Sequence, residues 1–520
     1  MGYKYRSPNT KARLVRSISV IIFLLLISLF LNSCSKPTVN FIQVVPPPDT
    51  LKATTFNVNN VLQSNMVVQR DKPFTIWGQT TPAFKVTVKA SYNSGSFTAT
   101  ADNLGYWTVT IPASPANASP QTITASVYGK TPVVFNNILI GDVWLCSGQS
   151  NMVMPVDSVQ PFFGFEGVVN YKAEIAAANY PQIRAITVNE DFEANPVDTL
   201  KYHENWMVCS PQTAGQFSAV AYFFARKLNT TLNVPIGLVI SAGSGTSCEA
   251  WTSKETIQAD PLLKAYYTGN NVNQLYNGMI YPLRNLSIKG FLWYQGENNR
   301  HDDPQSNYGV LSDALIANWR TLFNQGQLPF YLVQMTPFAE NFFNTSPWGD
   351  DPTADDYAKF REVQASVRTN VAHTGMAITL DVGQEVYIHP QNKKPVGERL
   401  AFLAFKNDYN QPVQSLGPQY LSNSINNNIT VNFVTGTAEG LNTINNAPLA
   451  QYFFVAGTDH VFRQGTATII NGNQISIRAP VGTPLPIQAV RYAFTNFPFT
   501  NLQNSAGLPM EAFRTDNWSN

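Results

Sequence analysis

Ile138-Leu139-Ile140-Gly141-Asp142-Val143-Trp144-Leu145-Cys146-Ser147-Gly148-Gln149-Ser150-Asn151-Met152 opens with apolar runs and closes on small and amide residues. Ile138–Ile140 and Val143–Leu145 lack polar alternation, the pattern of a strand covered on both faces. Gly148-Gln149-Ser150-Asn151 follows at once, so the chain turns where the strand ends. A serine at such a turn exposes its hydroxyl and aims its N–H at an occupant of the site, which suits a nucleophile that also helps hold an oxyanion. Taken alone, Ser150 or Asn151 reads more readily as an ordinary helix cap.

Outward from this stretch, helical and strand patterns alternate. Phe217, Val220, Ala221, Phe224 and Leu228 recur at helical spacing before an apolar run at Ile236–Ile240. Further strands are predicted at Gly290–Tyr294, Phe330–Val333 and Met376–Leu380. Helices are predicted through Leu311, Leu315, Ile316, Trp319 and Leu322, near Phe360, Val363 and Val367, and from Val396 to about Phe405. This order predicts an α/β domain with a parallel sheet covered on both faces, whose ligands sit beyond the carboxyl ends of the strands.

The residues after those strands carry the candidate chemistry. Ser241-Ala242-Gly243-Ser244-Gly245-Thr246 is a loop of small residues that lets backbone approach a ligand, although most such loops are plain turns. Trp293-Tyr294-Gln295-Gly296-Glu297-Asn298-Asn299 offers an amide as a further oxyanion donor and a carboxylate to brace the loop. His389, in Ile388-His389-Pro390, is a candidate base; a lone histidine is more often a satisfied core or surface group. Four such features, each beyond a strand of one sheet, are much less expected by chance than any one alone. Trp251, Trp293 and Tyr294 could stack on a sugar ring, but core packing is their commoner use.

Both flanks read differently. Val86/Val88, Trp107/Val109/Ile111 and Ile123/Ala125/Val127 alternate between turn signals, predicting an antiparallel β-sandwich over 54–136. Ile429/Val431/Phe433, the Ile469–Asn473 hairpin signal and Val490–Phe494 predict a second β-rich module over 411–520, leaving 137–410 for the catalytic domain. At roughly 150 residues per domain, 520 residues suit such a division.

The chain opens with a basic stretch and the apolar run Ile18–Leu31, too short for the ~20 residues of a spanning helix and laid out like a signal peptide. Leu31-Asn32-Ser33-Cys34 resembles a bacterial lipobox, which makes 1–34 a lipoprotein leader, Cys34 the lipidated residue and 35–53 a linker. The expected location is the cell envelope, at the periplasm or the outer-membrane surface, with the membrane touched only through this lipid. Cys146, Cys209 and Cys248 allow at most one intramolecular disulfide, and neither they nor the scattered histidines have zinc-site spacing. A net charge of +1 with only 13% charged residues argues against a nucleic-acid partner.

The run Ile140–Met152 resembles the opening block of the sialate O-acetylesterases, a branch of the SGNH (GDSL-like) hydrolases. The likeness continues in Asn65–Arg70, Tyr276–Ile280, Trp293–Asn298, Ile388-His389-Pro390 with Asn392-Lys393, Gly507–Pro509 and Phe513–Asp516. It implies a flavodoxin-like three-layer α/β/α domain and a serine esterase that removes O-acetyl groups from sialic acid or a related acetylated glycan. Ser150 would be the nucleophile and His389 the base. The N–H of Ser150, the N–H of Gly245 and the Gln295 side chain would form the oxyanion hole, with Asn151 and Glu297 supporting. No metal or organic cofactor is implied. The chain departs from the family pattern where Gly243-Ser244-Gly245-Thr246 replaces Trp-Gly-Gly-Thr, and where Val386-Tyr387-Ile388 precede His389 without the usual aspartate. Glu385 and Asp381 are the nearest candidates for the orienting acid; the other option is a backbone carbonyl that orients the ring and leaves a Ser-His dyad. The alternatives are a non-catalytic glycan-binding lipoprotein on the same fold and an amidase or peptidase.

Overall fold

Successive side chains of a strand point to opposite faces, and along Val143–Cys146 both faces are buried. Val143 and Leu145 enter one apolar core, Trp144 and Cys146 another. The computed structural model describes residues 51–159, 164–268, 271–302, 307–338, 352–385 and 387–518. The expected leader, Cys34 and most of the linker lie outside the described residues.

The quoted run ends a long strand, β1 (Val133–Gly148). With β2 (Tyr180–Val188), β3 (Met207–Cys209), β4 (Ile236–Ala242), β5 (Gly290–Tyr294), β6 (Phe330–Val333) and β7 (Thr374–Ala377) it forms a sheet in the order β3-β2-β4-β1-β5-β6-β7. Only β3 is antiparallel to its neighbour on this path. Five helices matter to the site: α1 (Ser150–Val153), α2 (Ala219–Leu232), α3 (Tyr308–Phe323), α4 (Asp356–Asn370) and α5 (Lys393–Asp408). Val220, Phe224 and Leu228 of α2 and Val396, Leu400 and Phe405 of α5 share a core with Trp144, Cys146 and Leu238. Leu311, Leu315 and Trp319 of α3 and Phe360 and Val367 of α4 share the opposite core with Val143, Leu145 and Phe291. The predicted elements are present, although the strand expected at Met376–Leu380 runs over Thr374–Ala377 instead; β2 and β3 were not legible in the sequence.

The expected module boundary at 136/137 falls inside β1. Its first half pairs antiparallel with Asn117–Val127 and parallel with Val67–Gln69, its second half parallel with β4 and β5. A buried carboxylate marks the passage between the two halves. Asp142 accepts hydrogen bonds from Arg70 Nε and Nη2 at 3.0 and 2.9 Å, from Gln69 Nε2 at 3.0 Å and from the Tyr409 hydroxyl at 3.0 Å. Four acceptor contacts with one cation repay the desolvation of a charge that would otherwise be costly to bury.

In the leading β-rich region Val86, Val88, Trp107, Val109, Ile111, Ile123, Ala125 and Val127 are buried, as their alternation predicts. The trailing region holds two four-stranded sheets, and Asn471 and Gly472 turn its predicted hairpin at φ 54° and 71°. This region is bound to the central sheet's helices by a charge cluster. The fully buried Arg491 donates to Asp516 at 2.9 and 2.7 Å and to Asp355, just before α4, at 3.1 Å. Cys146, Cys209 and Cys248 are all buried and unpaired. Removing one partner of a buried ion pair costs ~3–5 kcal/mol, so Arg491→Met is expected to lower the chemical-denaturation midpoint markedly, while Arg463→Met, in a part-exposed pair with Asp459, leaves it nearly unchanged.

Candidate active site

Three loops meet at the carboxyl ends of β1, β4 and β5. Gly148, the last residue of β1, has φ 137°, and a Cβ there would lie 2.1 Å from the Tyr294 carbonyl oxygen of β5. Only glycine lets the two strands close so tightly. The chain then turns, with Gln149 N donating to Tyr294 O at 2.9 Å, and Ser150 becomes the first residue of α1. N–H groups in a first helical turn have no acceptor within the helix. Ser150 is 8% exposed and its hydroxyl has no hydrogen-bond partner among the described residues.

The loop after β4 bonds to this turn through Gly243 N, which donates to Gly148 O at 3.1 Å. Glu190 takes up the Ser244 N–H at 2.7 Å, and Thr246 Oγ1 closes the loop onto Gly243 O at 2.8 Å. Gly245 is left at φ 65° with open space where a Cβ would be, and its N–H has no acceptor among the described residues. Gly245 can therefore present its N–H to a ligand.

The loop after β5 is a saturated amide network. Gln149 Oε1 accepts from Gln295 Nε2 at 3.1 Å and from the N–H groups of Gly296 and Asn298 at 3.3 Å each. Gln295 Nε2 also faces Thr246 O at 3.1 Å and Asn299 Oδ1 at 2.7 Å, while its Oε1 accepts from the Tyr308 hydroxyl at 2.9 Å. The expectation that Gln295 aims its amide at an oxyanion thus meets a different placement. The side chain is buried and turned toward three protein acceptors, joining the loops after all three strands. Trp251, Trp293 and Tyr294 are buried and serve packing, with Trp251 and Trp319 both edge-on to Trp293.

His389 approaches from the segment before α5. Its ring packs edge-on against Phe165 at 4.9 Å between centroids and against Tyr387 at 5.8 Å. Burial, followed by the nearby Lys393 cation, pushes it down to about 4, so the imidazole is neutral and able to accept a proton at pH 7. Neither candidate acid reaches it. Asp381 forms a two-pronged pair with Arg399 at 2.7 and 2.6 Å, and Glu385 is exposed with no hydrogen bond among the described residues.

Asn151 joins the parts. Its Nδ2 donates to Glu297 Oε1 at 2.5 Å and to the carbonyl of Ile388 at 3.1 Å, and its Oδ1 accepts from Lys393 Nζ at 2.5 Å. The turn of Ser150 and the segment of His389 are therefore linked through a single side chain. Burial raises the Glu297 carboxyl above its usual range. The sequence pattern singled out Asn151 and Glu297 but assigned no part to Gln149 or Lys393. Among the described residues no cluster of histidine, cysteine or acidic groups is suited to a metal, and no helix is long and apolar enough to cross a membrane.

A free serine hydroxyl beside open N–H groups, with a neutral imidazole on an adjoining segment, is suited to attack on a carboxylic ester, and comparison with known proteins agrees on that class: the protein is a carboxylic ester hydrolase. Residues 140–404, just over half of the chain, match the family described as carbohydrate esterase, sialic acid-specific acetylesterase, and the chain belongs to that family. The match takes in every residue from Ser150 to Lys393 named above. The human sialate O-acetylesterase is 29% identical over 383 residues, covering 66% of this chain and 69% of its own. The mouse protein is 29% identical over 409 residues, covering 66% and 72%. The crystal structure of a carbohydrate acetylesterase from Xanthomonas citri is similar with a TM-score of 0.78 and 31% identity, over 89% of this chain and 100% of that one.

The two glycines of the site differ in what a methyl group meets. Gly148→Ala forces a carbonyl aside and is expected to lower the melting temperature strongly. Gly245→Ala costs only the left-handed backbone term of ~1–2 kcal/mol and leaves a folded protein, whereas Gly148→Ala adds the strand contact to a positive-φ strain of its own, so thermal scans are expected to show the larger loss at Gly148.

Proposed function

We propose that this protein removes O-acetyl groups from sialic acid or a related acetylated glycan through an acetyl-enzyme on Ser150. The observation that carries this reading is the bond from Asn151, next to Ser150, to the carbonyl of Ile388, next to His389, which ties nucleophile and base to one anchor. Its support at the level of substrate is family membership and the sialate O-acetylesterases among its relatives.

Ser150 Oγ attacks the acetyl carbonyl while its proton passes to the neutral His389. The tetrahedral oxyanion is held by the N–H groups of Ser150 and Gly245, and each such donor lowers the barrier by ~3–4 kcal/mol. Gln295 acts on these donors indirectly, by locking the loops that carry them. As the intermediate collapses, the bond to the sugar oxygen breaks and His389 returns its proton to that oxygen. Water then repeats the sequence on the acetyl-enzyme, with His389 taking a proton from water and returning it to Ser150, and acetate leaves. Every proton is accounted for between Ser150, His389, the sugar hydroxyl and water. The central domain is read as an SGNH-type hydrolase between β-rich modules, and the leader as that of an exported lipoprotein anchored through Cys34.

Acetate release from p-nitrophenyl acetate and from 9-O-acetylated sialic acid, by the mature protein lacking Cys34, tests the reading. Ser150→Ala and His389→Ala are each expected to lower kcat/KM by at least about a thousandfold with the thermal transition kept. Release from p-nitrophenyl acetate alone moves the substrate to another acetylated glycan. No release from either ester above Ser150→Ala leaves a glycan-binding protein on a hydrolase fold.

A further inference from the structure

A catalytic imidazole such as that of His389 is usually oriented by a carboxylate. Among the described residues no carboxylate hydrogen-bonds to it, since Asp381 is committed to Arg399 and Glu385 is exposed. The segment that carries it is nevertheless anchored, by Asn151 at Ile388 O, by Gln384 Oε1 at Gln391 N (2.9 Å) and by Gln391 O at Lys393 N (2.9 Å).

Lys393 is the unusual member of this group. It is the first residue of α5, where the helix dipole disfavours a cation, and its side chain is 0% exposed. Its ammonium meets Asn151 Oδ1 and lies over the Tyr294 ring, 5.3 Å from the centroid. The opposite charge, Glu297, lies on the far side of the same amide. Asn151 is thereby oriented without ambiguity. A flip of its amide would set NH2 against the ammonium and oxygen against the carboxylate. Held this way, both amide hydrogens are spent, one on Glu297 and one on the carbonyl beside His389.

We propose that Lys393 is a positioning residue, clamping Asn151 so that the Ser150 turn and the His389 segment keep their register. The proposal rests on the reading of Ser150 and His389 as nucleophile and base. The charge of Lys393 has a second effect, on the protonation of His389. Among the described residues, the other titratable groups around this cluster are Glu297 and Tyr294 from β5 and its following turn, Tyr387 and Glu385 on the histidine's own segment, and Glu166, whose N–H bonds the Tyr387 hydroxyl. Glu385 and Glu166 are exposed. Burial brings Lys393 down to about 7, opposed by Glu297. Below that pH it is a cation beside His389 and resists the imidazole's protonation. Removing it raises the histidine's pKa toward its usual value, and the acid limb of the rate profile must then move to higher pH.

The test is kcat/KM for p-nitrophenyl acetate from pH 3.5 to 8 for the wild type, Lys393→Met, Glu297→Gln and the double variant Lys393→Met/Glu297→Gln. The double variant removes the carboxylate that the single one strands, and so keeps a folded protein if the single change does not. Relative to Glu297→Gln, the double variant is expected to lose rate at every pH and to shift the acid limb upward, since the two differ only in the Lys393 charge. An acid limb that stays where Glu297→Gln has it, whatever the loss of rate, overturns the proposal and leaves Lys393 a packing residue. Wild-type release no greater than that of Ser150→Ala overturns the underlying reading instead.

Discussion

The backbone groups on both edges of β1 are paired through most of its length, and this constraint sets the geometry of everything at its carboxyl end. Val67–Gln69 and Asn117–Val127 hold its first half, β4 and β5 its second. The strand can neither slide nor twist without breaking ladders in two regions at once. Gly148 is consequently delivered to one place, against the carbonyl of Tyr294. The positions of Ser150, Gly245 and the Gln295 network relative to one another follow from three strand ends in fixed register.

Buried charge is used in three places and for three ends. Asp142 ties the leading β-rich region to the central sheet, Arg491 ties the trailing one to α4, and Lys393 with Glu297 organises the site. Such groups add little net stability compared with well-packed apolar side chains. Their value lies in geometry, because a buried ion is satisfied in few arrangements. At Lys393 the charge also acts on the imidazole nearby, which joins positioning to protonation in one residue.

The extent to which the sequence was legible follows from the same physics. Strands buried on both faces, such as Ile236–Ala242 and Gly290–Tyr294, are continuous apolar runs and were readable, as were the helices covering them. Tyr180–Val188 was not, because Pro181, Gln182 and Arg184 interrupt its apolar pattern. The Arg184 guanidinium is nonetheless buried, donating to the carbonyls of Pro181, Asn65 and Asn137. The change of rhythm near residue 137 was a real signal with a different cause. Burial alternates in the first residues of β1 and becomes continuous further on, since one strand leaves a half-covered sheet and enters a fully covered one. Ser150 and His389 stood out because chemistry-bearing residues followed strands. The amide network around Gln149 and the burial of Lys393 depend on side chains brought together across more than 100 residues of chain, and no local pattern announces them.

The three cysteines have a consequence for how the molecule withstands its surroundings. Each thiol is enclosed in packed interior, and burial raises all three, Cys209 to about 12 and Cys146 and Cys248 well above the usual thiol range. Thiolate is the species that exchanges with disulfides or reacts with oxidants, and almost none is present at neutral pH. The described fold is therefore indifferent to redox conditions: no covalent bond between cysteines has to form for it to assemble, and none is there to be lost when the medium turns reducing.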